Sequence, residues 1–186
     1  MANIMTTYVK IVNLNEENFS KFSKLFKTEN EDNSYVELFN HFNILFNKNF
    51  REPDNVFNRD WMEENIGSKW MTIEYGDTEY SPEVNLIIES AYSVPTGYLQ
   101  SLFNYLQTDN QDVVLYGTYE EESYDPIGAF VYGDDYDDIE DYDEIDSERM
   151  WDDDDYREEI MDLLHDHRDS LYESYLEVKK EREEEN

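Results

Sequence analysis

The side chains that could do chemistry in this chain are overwhelmingly carboxylates. There are 47 Asp and Glu among 186 residues, with three His and no Cys. Paired carboxylates can act as general acid and base, but at this density any two fall close together by chance, so pairing marks no catalytic site. Acids at alternate positions, Asp135 with Asp137 and Asp141 with Asp143, resemble the opening of a calcium loop. The Gly that such a loop needs at its sixth position is missing in every register, and a bidentate Glu at the twelfth has no frame. His165 and His167 stand two residues apart, on divergent faces of a helix, unlike the i, i+4 pair of a metalloprotease. His41 reads as a helix-surface or boundary residue. Without Cys there is no thiolate nucleophile, no thiolate metal site and no disulfide. The sequence also has no Walker loop, no G-x-G-x-x-G and no G-x-S-x-G. The expectation is a protein that is not an enzyme, with no catalytic residue, no metal site and no cofactor.

What remains is charge itself. The formal net charge is −33. Residues 111–186 hold 6 Lys and Arg against 30 Asp and Glu, and so carry −24 of it. The densest run, Asp134 to Glu159, sets 16 acids against Arg149 and Arg157. Such a surface repels DNA, RNA and anionic membranes, which excludes direct nucleic-acid and membrane partners and points to a basic protein. Duplex DNA has one negative charge per ~1.7 Å of axis, and a helix rising ~1.5 Å per residue can present carboxylates at a comparable density. The chain therefore reads as an acidic DNA mimic that occupies the nucleic-acid groove of a basic nucleic-acid-binding protein. The candidate partner-binding residues are Asp134, Asp135, Asp137, Asp138, Glu140, Asp141, Asp143, Glu144, Asp152, Asp153, Asp154, Asp155, Glu158, Glu159, Asp162, Asp166, Asp169 and Glu173. In a second reading the chain is an interaction or scaffold protein that docks on another protein, or forms a homodimer, through the apolar seam of its last helix. A base-stacking platform of aromatics is opposed by the charge.

Elements must hold these acids in place, and the composition supplies them. Ten Phe, sixteen Tyr and three Trp make the chain 16% aromatic, whereas a merely disordered acidic chain has no core to fill. The length suits one domain with an appendage. Residues 6–12 are β-branched and aromatic and predict a first strand. Asn15 or Asn18 is placed to cap a helix whose stripe is Phe19, Phe22, Leu25 and Phe26. A second helix is predicted from Ser34, with Glu37 completing a capping box and a stripe of Tyr35, Leu38, Phe39, Phe42, Leu45 and Phe46. Residues 59–66 predict a short helix ended by Gly67. Strands are expected at 70–75 and 84–92 around a turn at Gly76-Asp77, then a helix from Pro95 to about Gln107, then a hairpin of 113–119 and 127–132. From 134 to 155 the acids are punctuated by Tyr136, Ile139, Tyr142, Ile145, Met150 and Trp151, a spacing that suggests docking on a body. Residues 156–180 predict a long helix with Ile160, Leu164, His167, Leu171, Tyr175 and Val178 on one seam. The fold class is thus α+β, a ferredoxin-like split β-α-β sandwich with inserted N-terminal helices and a C-terminal acidic helical extension. The expected units are 1–133, and 134–186 packed on it or extending from it.

Residues 55–133 resemble the YubB-like domain of phage and plasmid proteins. The resemblance is carried by Trp61, by Asn65-Ile66-Gly67-Ser68-Lys69-Trp70, by Ile88 to Pro95 and by Gly128-Ala129-Phe130-Val131-Tyr132-Gly133. The family's first motif is close to N-W-G-T-K-W and its second to T-A-W-S-P-P, where this chain has Ile66, Tyr92 and Val94 at three of the positions. The resemblance implies a phage or mobile-element origin, with a host defence protein of the restriction or CRISPR type as the basic partner, and a ferredoxin-like sheet with helices on one face; it carries over no catalytic residue. The N-terminus has neither a basic nor an apolar leader segment and no run of about 20 apolar residues occurs, so the expected location is cytoplasmic, the host cytoplasm for a phage-encoded chain.

Overall fold

The computed structural model describes residues 3–26, 41–47, 59–75, 79–107, 112–143 and 145–185. The β-branched and aromatic run near the N-terminus forms strand β1 (Ile4–Val12), with Met5, Thr7, Val9 and Ile11 buried along one side. It is a central strand. On one side it pairs with β3 (Val84–Ala91), which pairs in turn with β2 (Met71–Glu74). On the other side lie β4 (Val114–Glu121), β5 (Ile127–Gly133) and β6 (Tyr136–Asp141). Every neighbouring pair is antiparallel, and the order is β2-β3-β1-β4-β5-β6. The molecule is α+β and compatible with a split β-α-β sandwich.

One face of the sheet carries the main core. Asn15 caps helix α1 (Glu16–Leu25), its side chain accepting from the Asn18 backbone N–H at 2.8 Å. Phe19, Phe22 and Leu25 of α1 meet Phe42 of the helical residues 41–45 (α2), Met62 of α3 (Arg59–Asn65) and Tyr98, Leu99, Leu102 and Leu106 of α4 (Thr96–Leu106). Beneath them lie Val9, Ile11, Leu86, Ile88, Leu115 and Phe130 of the strands. Gly67 closes α3 at φ +88°, a conformation open to Gly at little cost, and its N–H bonds the Met62 carbonyl at 3.2 Å. Tyr35, Leu38, Phe39, the start expected for α2 and the Gly76-Asp77 turn lie outside the described residues.

Three expectations change. His41 is only 1% exposed: it lies between Phe26, which meets it edge-on, and Tyr98, whose hydroxyl is 3.1 Å from Nδ1. Burial lowers its pKa to about 4. The acidic run opens with a strand, β6, although Asp disfavours strands, because pairing with β5 overrides propensity and a charged strand suits a sheet edge. Helices also cover both faces. The last helix, α6 (Asp154–Glu185), is longer than the predicted 156–180 and lies on the second face over β4 and β5. That explains why every residue of β5 is buried.

Candidate partner-binding surface

Helix α6 displays eight of the eighteen candidate acids, and its attachment starts from a narrow seam. Ile160, Leu164, Leu171 and Tyr175 are buried; of the expected seam, His167 and Val178 are half-buried. Ile160 and Leu164 join Ile127 of β5 and Met150 of α5 (Ser147–Asp152) in one cluster. Leu171 and Tyr175 join Val114, Tyr116, Ala129 and Val131 in another. At Gly133 the helix comes so close that a Cβ would lie 2.1 Å from the Tyr175 ring. Tyr172 stacks on Tyr116 at 4.4 Å between centroids, nearly parallel.

Polar contacts extend the attachment at both ends. Lys179 Nζ lies 2.6 Å from an Asp112 carboxylate oxygen, and Arg182 donates to the carbonyls of Asp134 and Asp135 at 3.1 Å. At the other end the Asp153 carboxylate accepts from the Tyr156 N–H at 3.0 Å and caps α6, while Arg149 donates to it at 2.9 Å. These bonds, the Tyr156 N–H first and then Arg149, hold the Asp153 carboxyl below its ordinary pKa. Asp146 caps α5 in the same way, accepting from the Arg149 N–H at 3.1 Å.

The structure brings the candidate acids together in three groups. The first is the β5–β6 turn and β6: Asp134, Asp135, Asp137, Glu140 and Asp141 are exposed and Asp138 is half-buried, with Asp143 exposed just beyond. The Tyr119 hydroxyl donates to Asp141 at 2.6 Å, and burial together with this carboxylate raises the Tyr119 pKa. His167 Nε2 lies 3.4 Å from a Glu140 oxygen, joining α6 to β6. The second group is the α5–α6 junction, where Asp152, Asp154 and Asp155 are exposed and Asp153 is half-buried as the cap. Third is the outer side of α6, with Glu158, Glu159, Asp162, Asp166, Asp169 and Glu173 all exposed. Glu144 lies outside the described residues.

Besides Glu177, Glu181, Glu183, Glu184 and Glu185 of α6, two acids from outside the acidic run belong to this surface and were not among the candidates. Glu120 of β4, with Asp154 and Glu158 of α6, lines an open cleft of about 420 Å³. It also accepts from the Tyr8 hydroxyl at 3.1 Å; burial, then Glu120 and Glu89, push that hydroxyl up to about 12. Asp112 anchors Lys179. Alternation along β4 could have placed Glu120 on the face opposite Tyr119, but nothing local shows that a distant helix lies on that face. Among the described residues no three His, Asp or Glu are grouped to hold a metal ion. Asp135 and Asp137 are separated by the turn into β6, and His165 is exposed while His167 is half-buried. No helix of the described residues is long and apolar enough to cross a membrane. No protein-family profile, curated protein or solved structure matches the chain.

Proposed function

We propose that the protein is a nucleic-acid mimic: its α6 and β6 carboxylates occupy the cationic groove of a basic nucleic-acid-binding protein and keep DNA out. The observation that carries this reading is the density of acids on a helix anchored along its length. Between Asp154 and Glu185, α6 has 13 Asp and Glu in 32 residues. At ~1.5 Å rise per residue this is roughly one carboxylate per 3.7 Å, beside roughly 3.4 Å per phosphate along one DNA strand. The cations of the helix are largely turned to internal partners: Arg157 to Asp154, Arg168 to Asp169, Lys179 to Asp112 and Arg182 to two carbonyls. Because the seam already fixes the helix, docking requires little further ordering of the backbone. The same seam is the surface that a helix-mediated homodimer or scaffold contact would use, and it is packed on β4 and β5.

On this reading the chain is phage-encoded, acts in the host cytoplasm and targets a restriction or CRISPR type of defence protein. Strands β1 to β4 with α1 to α4 then form a ferredoxin-like core, which the order β2-β3-β1-β4 supports, and residues 55–133 are the YubB-like part of the chain. The test is capture by the tagged full-length chain from host lysate at low and at high salt, with mass spectrometry of what is retained. A mimic captures a nucleic-acid-binding protein, loses it at high salt because screening weakens exposed carboxylate contacts, and loses it to added duplex DNA. Retention indifferent to salt, or DNA that does not compete, excludes the mimic.

A further inference from the structure

Strand β6 ends the sheet, and the register shows which backbone groups its outer edge offers. The Glu121 N–H bonds the Pro126 carbonyl, and the Tyr142 N–H bonds the Ile127 carbonyl. Hydrogen-bonded pairs alternate along an antiparallel ladder, so Ala129 bonds Glu140 and Val131 bonds Asp138. The N–H and C=O groups of Asp137, Ile139 and Asp141 must therefore point away from β5. Among the described residues no strand pairs with this edge. The side chains along it are also open: Asp137, Glu140 and Asp141 are exposed, and Ile139, an apolar residue among acids, is 39% exposed.

A second copy of the chain does not fit this edge. Antiparallel pairing of two β6 strands about Ile139 would set Asp137 opposite Asp141 and Asp138 opposite Glu140, and like charges directly opposite destabilise a ladder. A basic strand turns each clash into an attraction. We propose that the outer edge of β6 receives an extended basic segment of the partner protein as a seventh, antiparallel strand. The segment has an apolar residue over Ile139 and Lys or Arg at the two positions on either side of it. Backbone bonds to Asp137, Ile139 and Asp141 fix its register, and the four carboxylates select its charge. This rests on the reading that the partner is basic, and adds how it is held.

The probe is a capped peptide, Thr-Lys-Lys-Val-Lys-Lys-Thr, titrated into the isotope-labelled full-length protein at low salt. A second peptide is N-methylated at Val and at the second residue on either side, which keeps the charge and removes the donors facing β6. Strand addition slows amide exchange at Asp137, Ile139 and Asp141, and methylation weakens binding roughly tenfold or more. Ile139→Pro, tolerated because the lost N–H faces outward, weakens the unmethylated peptide to a similar extent. Equal affinity for both peptides, or no binding of either, overturns strand addition. Neither result bears on whether duplex DNA displaces a captured partner, so failure of strand addition is separable from failure of the mimic.

Discussion

The two faces of the sheet are closed in different ways. The first is covered by α1 to α4, which contribute Phe19, Phe22, Leu25, Phe42, Met62, Tyr98, Leu99, Leu102 and Leu106 to one core cluster. The second is covered over β4 and β5 by α6, whose buried residues are Ile160, Leu164, Leu171 and Tyr175. Helices α1 and α4 each turn a broad apolar face into the shared core. One helix on a sheet needs only a seam, and the rest of its circumference is left for charge. The difference teaches that acid density is bounded by how few contacts can still anchor the element that bears it. The first face supplies a body, and the second uses it to display carboxylates.

The largest effects should come from breaking the seam. Leu164→Ala and Leu171→Ala should each destabilise the protein by about 2–5 kcal/mol, as loss of a buried leucine does. Urea unfolding followed by circular dichroism should show α6 melting before the sheet in the double variant, since the main core is untouched. Next is a pH effect confined to the first face. His41 is held neutral in the fold down to about 4, but in the unfolded chain it takes up its proton near 6.5. The unfolded state binds more protons between those values, so stability falls as pH drops from about 6.5 toward about 4, by about 3 kcal/mol. In His41→Gln the unfolding free energy measured across that window should have a smaller slope. Asp153→Ala should lower the urea midpoint slightly through loss of the α6 cap. Smallest is the display surface: Glu158→Gln, Asp162→Asn, Asp166→Asn and Glu173→Gln should each change stability by less than about 0.5 kcal/mol. The four combined should raise the melting temperature at low salt, where repulsion between them is least screened, and abolish capture of the partner.

These contrasts also show where the sequence was informative. Strand β3, helix α4 and the seam of α6 carry periods of two or of three and four, and β1 a β-branched and aromatic composition; each forms where that signal puts it, with His167 and Val178 of the seam only half-buried. Asn15 acts as the cap. Strand β6 was not legible, because Asp137, Asp138, Glu140 and Asp141 have no strand propensity and only the neighbouring β5 makes them extended. His41 was misplaced because a lone polar residue on an apolar helix does not announce its partner, and Tyr98 is 57 residues away. For the acidic surface, the charge and most of its residues were evident. That Glu120 joins from the sheet depends on tertiary contacts, whereas the Asp153 cap is a local bond hidden among four consecutive Asp, any of which has the side chain of a cap.

Hydrogen exchange along α6 of the isolated protein tests the central claim most directly. If a packed apolar seam fixes the carboxylates in space, the amides of residues 160–176 will exchange slowly, with protection approaching that of β1. Exchange there as fast as in an unstructured chain, while β1 stays protected, would mean that the acids belong to a loose tail and not to a rigid imitation of a phosphate backbone.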